Sequence, residues 1–426
     1  MHKGTADFDD VTTESQEPFS VNTAVQADSD NVGRFLESGD EAGTAPGDRK
    51  FRPDIEGLRA VAILLVVLFH AGVPRLTGGF IGVDVFFVVS GFVITGLLLR
   101  EHASSGGTRL LAFYGRRSRR ILPAATVVIV VTVFASYHWL GFITGNETAR
   151  VGRTASLFYA NFHFIATGTN YLASQAPPSA LQNFWSLSVE EQFYVLYPTI
   201  FIVACVAWKR IDIRQKLTGL LIASIVASFA WSIHQTSVNS VAAFFSPFTR
   251  AWELALGALV AVVSVKCAQL PRPVAMAMTW IGIGGILVAA FTFTTATPYP
   301  GSAAALPVVA TALVIAGGAA RPRFGGELLL GLRPFQWMGK LSYSFYLWHW
   351  PILIIAGQFA IQPLSVKDNL LWLLVALALS IVSYFLIENP IRHWNLLARS
   401  PSRSVILGLL LVGTSIGILS FEIASH

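Results

Sequence analysis

Apolar residues run along most of this chain in continuous blocks, and polar residues collect in the segments between the blocks. Each block holds about 20 residues, the length that an α-helix needs to cross the hydrocarbon core of a bilayer. A barrel strand would alternate apolar and polar positions, so the blocks favour helices. The pattern predicts an all-α transmembrane helical bundle of about 10–11 spans. The expected spans cover residues 56–73, 79–99, 121–142, 191–208, 217–234, 246–265, 275–294, 302–320, 342–361, 369–388 and 404–422.

Composition agrees with a membrane environment. The chain is 54% hydrophobic and 13% charged, whereas soluble domains hold about 25% charged residues. Residues 1–50 differ, because they contain 4 Lys/Arg, 11 Asp/Glu and no apolar block. We predict a disordered acidic tail there. By difference from the totals of 30 and 24, the other residues hold 26 Lys/Arg and 13 Asp/Glu. Such a surplus in membrane loops requires no nucleic-acid partner.

The basic residues between the spans predict the orientation of the chain. The segments on one side of the predicted spans hold 23 Lys/Arg, and those on the other side hold 5. By the positive-inside rule, the N-terminus is cytoplasmic and the C-terminus, after eleven spans, lies outside. We therefore expect a multi-pass plasma-membrane protein in three parts. These are the tail over 1–50, a membrane domain over 51–395 and an additional spanning helix within 396–426.

Several ionisable residues fall within or at the ends of the predicted spans, where each costs free energy unless it faces a cavity or a partner. Arg59 and His70 are eleven positions apart in the first span, about 16 Å along a helix and on nearly the same face. We expect both to line one groove, with Arg59 toward the cytoplasm and His70 in the outer half. Asp84 lies in the second span and Glu190 at the head of the fourth. The others are Glu191, Arg250, Glu253, His349 and Glu388.

Seven segments carry a family resemblance. They read FRPDIEGLRAVAILLVVLFHAG, GGFIGVDVFFVVSGFVITGLL, FYGRRSRRILPA, NFWSLSVEEQFYVLYP, TRAWELALGAL, LSYSFYLWHWPILI and LIENPIR, in this order. With them, the chain resembles the acyltransferase-3 family of bacterial membrane acyltransferases over roughly residues 51–395. Many members of the family carry an SGNH-hydrolase-like domain after the last span, and we expect none in this chain. Members also frequently have a histidine where Asn183 stands.

The resemblance implies transfer of an acyl group, often acetyl, from cytoplasmic acyl-CoA to a hydroxyl of an extracytoplasmic acceptor. The acceptor would be a glycan, a glycolipid or a small molecule. Acyl-CoA would be a co-substrate, with no tightly bound cofactor and no metal. His70 and Arg59 match the family's R-x10-H signature, and Glu190 matches the glutamate of its WSL-x-x-E element. The family's basic cluster corresponds to Arg116, Arg117, Arg119 and Arg120.

The residue types suit this chemistry. A neutral imidazole can take the proton of an acceptor hydroxyl, or it can carry the acyl group as a nucleophile, so His70 fits either route. Arginines in the predicted 100–120 loop fit the phosphates of CoA, although orientation of the chain and contact with anionic membrane lipid are alternatives. Asp84 either forms an ion pair or orients His70. Glu190 either binds acceptor hydroxyls at the outer mouth or caps the fourth span.

The main rival function is a transporter or flippase for a lipid or a glycan. Its buried charges would then serve an alternating-access path. The arginine loop together with the groove of Arg59 and His70 favours the acyltransferase, because a flippase has no need of a site for CoA phosphates.

Overall fold

The structure is a computed structural model, and it describes residues 51–105, 107–172, 177–207, 211–360 and 362–425. Within these ranges it is all-α and has no strand, which confirms the expected fold class. The expected acidic tail lies outside the described residues. Eleven described helices have 14 residues or more. In chain order, α1 to α11 are Pro53–His70, Gly82–Ser105, Leu110–Ser156, Phe184–Val206, Ile213–Val238, Pro247–Cys267, Arg272–Thr292, Ala305–Gly318, Arg333–Phe359, Val366–Ser383 and Pro401–Ser425.

Each expected span corresponds to one of these helices. Eight of the described helices are long and apolar enough to cross a membrane. The other three are α1, α9 and α8. The first two contain several charged and polar residues, and α8 has only 14 residues. The chain is a multi-pass membrane protein. Shorter helices join the long ones, and they cover Gly79–Ile81, Ala160–Ala166, Ser240–Phe245, Glu327–Leu330, Tyr384–Glu388, Asn389–His393 and Asn395–Ala398.

The third helix departs most from the expected boundaries. The sequence predicts a span over 121–142, but α3 begins at Leu110 and ends at Ser156. Gly141 interrupts it with φ 81° and ψ 178°, a left-handed backbone conformation that glycine adopts at little cost. The chain therefore bends at Gly141 and continues as a second helical arm. Along its length α3 packs against α11.

Two glycines bring α2 and α6 unusually close together. A Cβ atom on Gly91 would collide with the carbonyl oxygen of Leu254, and one on Gly257 would collide with that of Val88. Small residues at such crossings let membrane helices pack backbone to backbone. In a second close contact, α1 packs along α9, where Gly339 leaves no room for a Cβ beside the Glu56 carbonyl. These two contacts position the charged side chains of α1, α2, α6 and α9.

Candidate functional site

Two histidines from different helices meet in the bundle. His70 is the last residue of α1, and His349 lies in the second half of α9. The Nδ1 atom of His70 is 3.0 Å from the Nε2 atom of His349. The ring centroids are 5.2 Å apart and the ring planes differ by 11°. The parallel packing of α1 and α9 thus converts two residues 279 positions apart into one hydrogen-bonded pair.

The other ring nitrogen of His70 faces a hydroxyl. Its Nε2 atom lies 2.8 Å from the Oη atom of Tyr171. The Tyr171 ring is stacked on Phe244, with centroids 4.6 Å apart and planes differing by 19°. Trp350 approaches His70 edge-on at 4.6 Å, and its Nε1 donates to the carbonyl of Ser179 at 2.9 Å. His70 is only partly buried, so the aromatic rings contact it and leave part of its surface accessible.

Tyr171 is a site residue that the sequence analysis missed. It lies outside the long helices, in the connection between α3 and α4, and none of the motifs quoted above contains it. The only signal in the sequence is an aromatic hydroxyl between the third and fourth predicted spans, over residues 143–190. That signal does not reveal the histidine that Tyr171 contacts.

Asp84 does not contact His70. In the first turn of α2, its Oδ1 accepts from Nη1 of Arg250 at 3.0 Å. The same Nη1 donates to Glu253 at 3.0 Å, and all three side chains are at most 1% exposed. Of the two expectations for Asp84, the ion pair is therefore observed and the orientation of His70 is not. The physical reason is the close α2–α6 crossing, which directs Asp84 toward Arg250.

Glu190 lies within α4 and contacts groups of its own helix and of two neighbouring helices. The α4 helix begins at Phe184, so Glu190 is its seventh residue and does not cap it. Its carboxylate accepts from the hydroxyls of Ser90 and Tyr194. It also interacts electrostatically with Arg117. The α4 helix thus carries Glu190 into the bundle beside the arginine segment, and its place at the outer mouth stays a prediction.

The four arginines of the basic cluster lie on the helix α3 and not in a loop, because α3 already begins at Leu110. Two of them have carboxylate partners. Arg116 Nη2 pairs with Glu101 at 2.9 Å, and Arg117 Nη2 pairs with Glu191 at 3.0 Å. The Arg117 guanidinium also lies 3.6 Å from the centre of the Tyr194 ring.

The next two arginines have donors to spare. The Nε and Nη1 atoms of Arg119 are buried without a hydrogen-bond partner among the described residues. Over the same residues, the guanidinium of Arg120 makes no hydrogen bond, and it interacts electrostatically with three cations, Arg59, Arg117 and Arg392, and with one carboxylate, Glu388. A cationic group in such surroundings has a strong electrostatic attraction for an anion. Arg119 and Arg120 are therefore the members of the cluster that are best placed to receive a phosphate.

Arg59 points into the same region. Its Nη1 pairs with Glu56 at 3.1 Å, and its side chain is 16% exposed. Arg59 interacts electrostatically with Arg120 and with Glu388, whose Oε2 accepts from Ser344 at 2.8 Å. Arg59 and His70 both face protein groups, about 16 Å apart along α1. The site thus has an arginine end and a histidine end, connected by α1. No group of three or more His, Cys, Asp or Glu in the described ranges suits a metal ion.

Known proteins resemble most of this chain. The model of a family described as an acyltransferase domain matches residues 52–389. The chain is 31% identical to YrhL of Bacillus subtilis, over 84% of the chain and 57% of that protein. It is 31% identical to the peptidoglycan O-acetyltransferase OatA of Listeria monocytogenes, over 81% of the chain and 56% of that protein. It is 30% identical to the O-acetyltransferase OatA of Staphylococcus aureus, over 87% of the chain and 63% of that protein.

The chain thus spans between 56% and 63% of the length of these three relatives. No solved structure is significantly similar to it.

Proposed function

Because the chain belongs to this acyltransferase family, we propose that it is an integral-membrane O-acyltransferase. It moves an acetyl group from acyl-CoA to a hydroxyl of a carbohydrate in the cell envelope. The observation that carries the proposal is the position of His70, whose Nε2 atom lies 2.8 Å from a hydroxyl within a multi-pass helical bundle. The names of the two OatA relatives support acetyl as the group, and the name of the Listeria monocytogenes relative supports a cell-wall polymer as the acceptor.

His70 is the base in the proposed reaction. Its Nε2 atom accepts the proton of the acceptor hydroxyl while the hydroxyl oxygen forms a bond to the acyl carbon. The carbon–sulfur bond of the thioester breaks, and the proton passes to the leaving thiolate. The products are the acetyl ester and free CoA. Tyr171 occupies the place of the acceptor hydroxyl, so this acceptor displaces the phenol as it binds.

The arginine end holds the donor. Arg119 and Arg120 bind phosphates of CoA, because guanidinium forks match phosphate oxygens. Two nitrogens of Arg119 have no partner among the described residues, and three further cations lie around Arg120. The acyl-bearing arm then extends past Arg59 along α1 toward His70. Arg116 and Arg117, which have carboxylate partners, hold the neighbouring helices in place. In this arrangement the basic end of α3 faces the cytoplasm and the histidine end faces the outside, with the N-terminus inside and the C-terminus outside.

The transporter or flippase is not favoured. The family and the OatA relatives are described as transferases, and the two ends of the site have different chemistry, one for an anion and one for a hydroxyl. A flippase would move one substrate between two similar environments.

Mass spectrometry of cell-wall glycans tests the proposal. Glycans from bacteria with and without the gene are digested and compared. We expect fragments heavier by one acetyl group only where the gene is present, and mild alkali removes that mass because it cleaves esters. Identical spectra would contradict a glycan acceptor, and an added mass of another acyl group would correct the donor.

A further inference from the structure

We propose that His349 is a positioning residue that holds His70 in the tautomer whose Nε2 atom can accept a proton. The inference rests on the proposed role of His70. A neutral imidazole has its hydrogen on one of two nitrogens, and only the other nitrogen is a base. A base at Nε2 therefore requires the hydrogen on Nδ1. The contacts of His349 place the hydrogen of His70 on Nδ1.

The hydrogen-bond directions follow from two backbone carbonyls. The Nδ1 atom of His349 lies 2.8 Å from the carbonyl oxygen of Tyr346 and 3.2 Å from that of Phe345. Carbonyl oxygens only accept, so this Nδ1 carries the hydrogen, and the Nε2 atom of neutral His349 has a lone pair. That lone pair faces Nδ1 of His70 at 3.0 Å, so Nδ1 of His70 donates. The Nε2 atom of His70 is left without a hydrogen.

The ring geometry agrees with these hydrogen-bond directions. The lone pair of an imidazole nitrogen lies in the ring plane, so two imidazoles that share a hydrogen bond are best aligned edge to edge. The planes of His70 and His349 differ by only 11°, with centroids 5.2 Å apart. At the other end, the hydroxyl of Tyr171 donates to the bare Nε2 of His70 at 2.8 Å. From Tyr171 through His70 and His349 to the backbone carbonyls, every hydrogen-bond donor thus faces an acceptor.

His349 is held firmly enough to determine the state of its neighbour. Its side chain is fully buried, and the carbonyl of Tyr346 that receives its hydrogen also accepts from Nδ2 of Asn183 at 2.9 Å. Turning the His349 ring over would separate its hydrogen from both carbonyls. His349 therefore orients His70 as a carboxylate orients the histidine of a serine protease, where the wrong tautomer lowers kcat by about 10⁴-fold. The lone pair of His349 Nε2 faces His70, and the His349 ring is fully buried whereas His70 is only partly buried, so we assign the base to His70 and not to His349.

Two conservative variants separate positioning from packing. The amide of glutamine reaches the place of a histidine Nε2, so His349→Gln can still accept from His70. The amide of asparagine reaches only the place of Nδ1, so His349→Asn keeps the contact with the backbone carbonyls and loses the hydrogen bond to His70. Positioning predicts that His349→Asn lowers kcat on the order of 100-fold, while His349→Gln stays within about tenfold of the wild type. The KM for acetyl-CoA stays unchanged in both.

A packing role predicts the opposite ranking, because the contact with the α9 carbonyls would then matter most. Equal losses in the two variants, or a larger loss in His349→Gln, would overturn the proposal. The assay uses the full chain in lipid nanodiscs with acetyl-CoA and a cell-wall glycan fragment.

Nitrogen NMR tests the same proposal without any need for turnover. The full chain is labelled with ¹⁵N-histidine in nanodiscs, and the His70 signals are assigned by their loss in His70→Asn. We expect wild-type His70 to be protonated at Nδ1 and bare at Nε2, and to become a mixture of tautomers in His349→Asn. A hydrogen on Nε2 in the wild type would overturn the proposal. If the wild type transferred no acetyl group, the proposed function would fail, and this measurement would still decide the role of His349.

Discussion

Asp84 in α2 and Arg250 in α6 form an ion pair at 3.0 Å, and each of the two side chains is 1% exposed. The same guanidinium neutralises Glu253, the next carboxylate along α6. It also lies 5.0 Å from the centre of the Phe244 ring, against which Tyr171 is stacked. The ion pair thus supports the aromatic residues Phe244 and Tyr171 beside His70, and it makes no contact with His70 itself.

Removing the cation of this cluster costs more stability than removing one of its anions. Arg250→Gln leaves two carboxylates buried side by side, and we expect the free energy of unfolding to fall by about 3–5 kcal/mol. Asp84→Asn leaves the pair of Arg250 and Glu253 intact, and we expect a loss of about 1–2 kcal/mol. Thermal unfolding in detergent micelles ranks the two variants. Since Asp84 does not contact His70, we expect the folded Asp84→Asn protein to keep acetyl transfer. Loss of acetyl transfer in a variant of normal stability would instead support a catalytic role for Asp84.

The close crossing of α2 and α6 depends on the absence of a side chain at Gly91. Gly91→Ala places a Cβ against the carbonyl of Leu254, a backbone atom that cannot turn away, so the two helices must separate. We expect a loss of about 1–3 kcal/mol. Gly96→Ala on the same helix is the matched control, because its Cβ meets only the end of the Arg100 side chain. Equal unfolding temperatures for the two variants would show that the crossing tolerates a methyl group.

The arginines differ in what they are free to bind. Arg119→Ala and Arg120→Ala each remove a guanidinium with unused donors, and we expect the Kd for CoA to rise about tenfold or more, as for the loss of a charge-assisted hydrogen bond. Arg116→Ala removes a guanidinium that is already paired with Glu101, and we expect a Kd close to that of the wild type. Calorimetry with CoA and the full chain in nanodiscs measures all three. An equal effect of the three substitutions would mean that the cluster acts only through its total charge.

Glu190 acts through the hydroxyls that it binds. In Glu190→Gln the amide oxygen can still accept from Ser90 and Tyr194, so we expect an unfolding temperature close to that of the wild type. Glu190→Ala leaves both hydroxyls without their acceptor, and we expect a loss of about 1–3 kcal/mol. Comparing the two melting curves checks this account. A strong loss of acetyl transfer in Glu190→Gln, with the unfolding temperature unchanged, would instead assign a function to its negative charge.

Much of the fold could be predicted from the sequence, because each span is a local property of about 20 successive residues. The eleven apolar blocks correspond to the eleven long helices of the described residues. The boundaries of α3 were less predictable. Arg116 to Arg120 look like a loop because they are charged, yet arginine is a good helix former and the apolar helix extends through them.

The candidate site was only half predictable. His70 and Arg59 stand out because charged or ionisable groups in a span need partners. The partners themselves depend on tertiary packing across long stretches of chain. His349 is one ionisable residue among several until α9 lies beside α1, and Asp84 is equally suited to His70 or Arg250 until the glycines bring α6 close. Tyr171 carries no periodic pattern at all, so only the folded chain reveals it.

The most direct test of the account is the transfer of a radiolabelled acetyl group from acetyl-CoA to a cell-wall glycan fragment by the full chain in proteoliposomes. The wild type is compared with His70→Ala. We predict that the substitution lowers the rate by at least about 100-fold, because the reaction loses its base, while the unfolding temperature and the Kd for CoA stay unchanged. Acetyl transfer at the wild-type rate by His70→Ala would contradict the account.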